Sequence, residues 1–252
     1  MNRSTVFAFF KRLKSIRSID PELTPLNWNE HQPCSTIKIG SQAIFITQPS
    51  SSILVYSLGL FALVLGLYFL EIQAGEVSRF WWGVALLLWG IGALLAGTSY
   101  QAFGFQIKCV GQEACAWTSW WEVAYLMLQY MSINALLVAA AYSYTNGSLR
   151  SGLIGFAVAS ALIYVILCFT GGLVPVKTLI TFEFLVAVSI PDYVILLLLP
   201  AIGFRQTGDP MDLYQLIAWI LLLLVMLPYW LYDRAGITPK LWQGGKGIWF
   251  SQ

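Results

Sequence analysis

The sequence predicts an all-α integral membrane protein: a bundle of six transmembrane helices with a basic amphipathic N-terminal arm and a short β-hairpin before the first span. Three observations lead there. Only 10% of the 252 residues are charged while 58% are hydrophobic, against about 25% charged in a soluble domain. Mean hydropathy is +0.71. The apolar residues gather in runs of about 20, the length that crosses a bilayer. Several runs begin or end on Trp81, Trp82, Tyr100, Trp120, Trp121, Tyr142 or Trp230, as expected for the aromatic belt of a bilayer interface. The net charge of +2 gives no sign of nucleic acid as a partner.

Residues 1–51 form the first segment, an arm expected to be cytoplasmic. It opens with MNRSTVFAFFKRLKSIRSI, which has no acidic residue. Val6, Phe9, Phe10, Leu13 and Ile16 recur at helical spacing. Arg3, Lys11, Arg12, Lys14 and Arg17 stand between them. A short basic amphipathic helix of this kind lies on an anionic membrane face, so membrane lipids are expected partners. An organelle transit peptide has a similar composition; a secretory signal does not, because there the basic residues precede the apolar run. The polar stretch 20–51 holds Pro21, Pro25, Pro33 and Pro49. Within it Thr36–Ile39 and Ala43–Thr47 read as strands joined at Gly40-Ser41. A lone hairpin is marginal, so it is expected to pack on the membrane domain.

The membrane domain, 52–231, holds spans at Ile53–Leu70, Phe80–Tyr100, Ser119–Tyr142, Gly152–Thr170, Val176–Phe204 and Leu213–Trp230. Gly59 and Gly66 on the first, with Gly90, Gly92 and Gly97 on the second, permit close helix approach. The tail, 232–252, completes the chain. In this threading Arg3, Lys11, Arg12, Lys14, Arg17, Lys38, Lys108, Lys177, Arg234, Lys240 and Lys246 share one side; only Arg79, Arg150 and Arg205 fall on the other. The bias predicts both termini in the cytoplasm, with the protein in a plasma membrane or an organelle inner membrane.

Candidate site residues follow from polar groups inside spans. A charge at mid-membrane costs roughly 2.5–3.5 kcal/mol on insertion scales, which makes it a functional-site hypothesis by default. The stretch Gly172–Arg205 carries Lys177, Glu183 and Asp192 beside a central Pro191. Pro191 is expected to break the helix, so that Asp192 caps the outer half. Glu183 is expected deeper than Lys177 and able to exchange a proton or bind substrate. On the third span Thr118, Glu122, Tyr125, Gln129 and Ser132 form a polar stripe. The stripe reads either as one wall of a cavity open to the cytoplasm or as interhelical hydrogen bonding. Glu122, Tyr125, Gln129, Lys177, Glu183 and Asp192 are thus the substrate- or ion-binding candidates.

No cofactor is expected, with one alternative. His31, Cys34, Cys109 and Cys115 would gather four soft ligands on the cytoplasmic side, a possible tetrahedral zinc site. A reducing compartment argues against disulfides there. No span holds a histidine, which disfavours haem or chlorophyll, and GxSxG and HExxH motifs are absent from the spans.

The segment Gly97-Thr98-Ser99-Tyr100-Gln101-Ala102-Phe103 at the end of the second span resembles, in its serine, the polytopic hydrolases of the alkaline ceramidase and adiponectin-receptor group, which are also similar in size and span count. Their zinc site uses a histidine near that serine, an aspartate and a later histidine pair. None of those histidines has a counterpart here, so the resemblance implies an intramembrane hydrolase-like protein without zinc chemistry. Three functions are therefore carried forward. The favoured one is a small carrier or lipid- or metabolite-binding membrane protein with a polar cavity on its cytoplasmic half. The others are a non-catalytic subunit or assembly factor bound to other membrane subunits, and the hydrolase-like enzyme.

Overall fold

The computed structural model describes residues 16, 20, 22–32, 34–39 and 42–234. Its elements run in order α1 (Trp28–His31), β1 (Cys34–Ile39), β2 (Gln42–Thr47), α2 (Pro49–Glu71), α3 (Val77–Ala96), α4 (Gly104–Lys108), α5 (Trp120–Tyr144), α6 (Gly147–Leu173), α7 (Phe182–Thr207) and α8 (Pro210–Arg234). A π-helical turn, Gly97–Ala102, extends α3, and a 3₁₀ turn, Lys177–Ile180, precedes α7.

Local chemistry sets these boundaries. Pro49 opens α2 at a position where its missing N–H is no loss. Ser119 caps α5 by accepting from the Glu122 amide, and Thr181 caps α7 by accepting from Phe184 N at 3.2 Å. Gly208, at φ 71°, ends α7 in the left-handed region that glycine occupies without steric cost.

Among the described residues, five helices are long and apolar enough to cross a bilayer: α2, α3 continued through Ala102, α5, α6 and α7. The sixth expected span coincides with α8, whose described apolar stretch, Pro210–Leu224, is shorter. The hub is α5, the most buried of the five. It packs against α3, α6 and α7, while α2 packs on α3 and α8 on α7. Around it, α2 and α6 turn leucines and isoleucines such as Leu54, Leu67, Leu162 and Ile166 outward.

The close approach of α2 and α3 is built from reciprocal glycines. A Cβ on Gly90 would stand 2.8 Å from the Gly59 carbonyl, and one on Gly83 would stand 3.0 Å from that of Gly66. The backbones therefore touch where any larger residue would wedge them apart.

The hairpin forms as expected, in the register Lys38↔Ala43 and Ile39↔Gln42, with its connecting residues 40 and 41 outside the described set. It lies on α4 near the chain's N-terminal side: the Phe45 and Phe105 rings are 5.0 Å apart, and the Gln106 amide donates to the Phe45 carbonyl. That end of the bundle is called the N-terminal face below.

Two expectations lie largely outside the described residues and one changes. The amphipathic arm falls outside the described residues except for Ile16. That residue does not lie on a surface: it is buried with Val123, Leu126, Tyr130 and Tyr164 in the bundle. The tail beyond residue 234 is also outside. Finally, Pro191 does not break the fifth expected span. The helix α7 runs unbroken past both Pro191 and Pro200. Proline removes one hydrogen bond, here that to the Ala187 carbonyl, and in a membrane helix packing against neighbouring helices sustains the chain across it.

Candidate functional site

Two polar centres lie inside the bundle, on opposite sides of α5. The first joins α3, α4 and α5 at the N-terminal face. The α3 helix widens into its π turn at Gly97–Ala102, a feature frequent at functional sites. Ser99 within the turn is fully buried and donates to Glu122 Oε1 at 2.9 Å. Thr118 Oγ1 donates to Glu122 Oε2 at 2.9 Å, and the Lys108 ammonium forms an ion pair with Glu122. Ser119 shares a 2.6 Å hydroxyl contact with Ser99. Lys108 also stands 5.1 Å over the Tyr100 ring, which meets Tyr125 edge-on. Three donors thus occupy the Glu122 carboxylate, and the cluster works as a clamp between elements.

The rest of the stripe on α5 faces the same helix. Ser132 Oγ donates to the Ala85 carbonyl at 2.8 Å, and the Gln129 amide nitrogen would stand 3.1 Å from a Cβ on Gly92. Glu122, Tyr125, Gln129 and Ser132 therefore make the α3–α5 contact. This is the interhelical hydrogen bonding that polar residues supply in membranes.

The second centre lies between α5, α6 and α7. Asp192 is fully buried, and neither carboxylate oxygen has a hydrogen-bond partner among the described residues. The Tyr130 hydroxyl faces Asp192, Asn134 and Ser160 without closing a well-formed bond to the carboxylate. Ser160 Oγ donates to Asn134 Oδ1 at 2.7 Å, and Asn134 Nδ2 donates to the Tyr130 carbonyl at 2.9 Å. The Tyr164 ring packs on Tyr130 with centroids 4.5 Å apart, while its hydroxyl faces Cys168. Desolvating an ionised carboxylate without a partner is among the costliest arrangements a fold can hold, so the charge of this group must be neutralised.

The remaining candidates sit elsewhere. Lys177 is exposed in the 3₁₀ turn, 5.3 Å over the Trp117 ring. Glu183 is exposed in the first turn of α7, where the helix dipole favours an anion, and not buried deeper than Lys177 as expected. The surroundings expected of Glu183 and Asp192 are thus reversed: Glu183 stands at the helix N-terminus and the buried Asp192 lacks a partner among the described residues.

The zinc set is corrected. Cys109 and Cys115 form a disulfide, so their thiolates are not available as ligands. Cys34 packs beside that disulfide with Trp28, Phe45 and Phe105, whereas His31 is exposed. The grouping of Cys34, Cys109 and Cys115 on one face is real; the chemistry at Cys109 and Cys115 is a covalent staple. Burial pushes the Cys34 thiol up from its ordinary value, against the opposing pull of Thr47 and Trp28. No group of three or more His, Cys, Asp or Glu side chains fit for a metal exists among the described residues.

Sequence reasoning passed over Tyr130, Asn134 and Ser160. The signal was present: Tyr130 and Asn134 are four apart on one span, as are Ser160 and Tyr164 on the next. Such a spacing puts each pair on a single helix face. No family model matches the chain, and neither a curated protein nor a solved structure matches it.

Proposed function

We propose that this chain is a small carrier or ligand-binding membrane protein whose binding centre is the Asp192 cluster between α5, α6 and α7. One observation carries the reading: a fully buried carboxylate with both oxygens unpartnered among the described residues. An intramembrane acid that serves packing alone is normally paired or hydrogen-bonded. The Glu122 cluster meets that description and Asp192 does not. In this reading α8 is the sixth span, the two ends of the membrane domain lie on one face, and the Glu122 clamp fixes α3 to α5 so that α6 and α7 can adjust around the centre.

The test compares the wild type with Asp192→Asn, both solubilised in mild detergent. Native mass spectrometry and thermal melts are run against lipids, metabolites and salts. The reading expects at least one added component to raise the wild-type melting temperature and leave Asp192→Asn unmoved. A ligand at a hundred times its dissociation constant contributes about 2.7 kcal/mol, well within reach of a melt. Components that stabilise both proteins equally, or none that stabilise either, count against a binding centre at Asp192.

A further inference from the structure

The geometry points to a small monovalent cation, a proton or a sodium ion, as the occupant of the Asp192 centre; this rests on the binding reading above and names its ligand class. The argument is one of charge balance in a low dielectric. An isolated buried carboxylate must be neutralised, by a proton or by a counter-charge.

No described side chain supplies that counter-charge. From α5 the titratable group facing Asp192 is Tyr130. From α6 it is Tyr164, whose hydroxyl turns to Cys168. Tyr193 is the neighbour on α7 itself. On α8, Trp219 meets Tyr193, while Asp212 is engaged at the opposite end of α5 by Tyr144 Oη at 2.9 Å. Lys177 and Glu183 are exposed at the N-terminal face, the latter ~13 Å along α7 from Asp192 at the helical rise per residue.

The donor set selects the charge and the kind of ion. It comprises the carboxylate and the Tyr130 hydroxyl that faces it, with the Ser160 hydroxyl and the Asn134 amide oxygen gathered about Tyr130. All are hard oxygens, and only one is anionic. A divalent ion would leave a net positive charge buried, and a soft metal would want nitrogen or sulfur. Full burial of Asp192 also argues for an ion without bulk.

Infrared difference spectroscopy on the purified wild type and Asp192→Asn, in sodium chloride and in choline chloride at neutral pH, tests this. A bound proton gives the carbonyl stretch of a neutral carboxyl in the wild type, absent from Asp192→Asn and indifferent to sodium. A bound sodium ion removes that stretch as sodium replaces choline, and raises the melting temperature in sodium only. Either result supports the inference and identifies the ion. An ionised carboxylate in choline, with no response to sodium in spectrum or melt, would mean that a fixed cation of the chain or another ligand holds Asp192, and overturns it. The binding reading would then still stand if a different component stabilised the wild type alone. Should Asp192→Asn fail to fold, Tyr130→Phe serves in its place. It is expected to keep the neutral-carboxyl stretch if the ion is a proton, and to raise the half-saturating sodium concentration severalfold if the ion is sodium. A wild-type protein that shows neither the neutral-carboxyl stretch nor a response to sodium overturns the inference without any variant.

Discussion

Glu122 accepts hydrogen bonds from Ser99 and Thr118 and neutralises the Lys108 ammonium, so deleting its charge strands a cation that is itself mostly buried. Removing one partner of a buried pair typically costs about 3–5 kcal/mol. Glu122→Gln is therefore expected to lower the unfolding free energy by roughly that amount, whereas Ser99→Ala, which loses one hydrogen bond, should cost about 1 kcal/mol. Chemical unfolding in mixed micelles checks both; equal, small losses would show that water already screens the cluster. Cys34 offers a pH test outside the spans. Its raised pKa means the fold favours the neutral thiol, so this stabilisation is present below the ordinary thiol value and is lost as pH rises through the folded one. Alkylation of Cys34 is expected to be slower than that of a free thiol at neutral pH and to recover only in more alkaline solution; ordinary reactivity at neutral pH contradicts the burial. At this scale the sequence revealed which residues are polar within spans but not whom they face. Glu122 and Asp192 look alike in a hydropathy trace. Only the packing of α5 against α3 and α7 decides that Ser99 and Lys108 meet one while the other is left facing the Tyr130 hydroxyl without a closed bond.

The elements were the most legible part of the chain, because length and apolarity alone identify a spanning helix and a two-residue connection with alternating flanks identifies a hairpin. The start of α7 differs from the expected span for a definable reason. Val176–Ile180 is apolar enough to pass as span, yet Pro175 and the Thr181 cap set it apart as a separate turn, which moves Glu183 to the helix's first turn. Pro191 misled in the opposite direction, since a proline breaks a helix only where nothing else holds the two halves together. Glycine gave the better signal. The sequence marks Gly59 and Gly66 as packing positions, and their partners are Gly90 and Gly83. This yields a prediction about one pair of helices. Gly90→Leu forces a side chain into the Gly59 carbonyl and should destabilise by about 1–3 kcal/mol or more, while Gly152→Leu, with open space around it on α6, should be near neutral. Melting temperatures of the two variants against the wild type decide it: similar shifts would mean that α2 and α3 do not touch through their backbones.

Taken as a whole molecule, the bundle sets two compartment signals against each other. By the six-span expectation, eleven of the 14 Lys and Arg residues share one side of the membrane and Arg79, Arg150 and Arg205 the other; such an asymmetry predicts the basic side to be cytoplasmic. The Cys109–Cys115 disulfide lies on the same basic face, and disulfides are rare in reducing compartments. The conflict eases once access is considered. Both half-cystines are fully buried under Trp28 and Phe105, and exchange requires an attacking thiolate to reach a sulfur atom. A sealed staple can persist where an exposed one would be reduced. The charge count should therefore govern the threading. A cysteine placed at Ser148, in the first turn of α6 on the opposite face, is expected to react with a membrane-impermeant maleimide added from outside intact cells. In denatured, unreduced protein of native sequence, only Cys34 and Cys168 should alkylate, with Cys109 and Cys115 joining after reduction. Labelling at Ser148→Cys from the cytoplasmic side alone would reverse the orientation and make the disulfide the true guide. Four reactive thiols without reductant would leave the charge count standing and show the staple to be open in the cell.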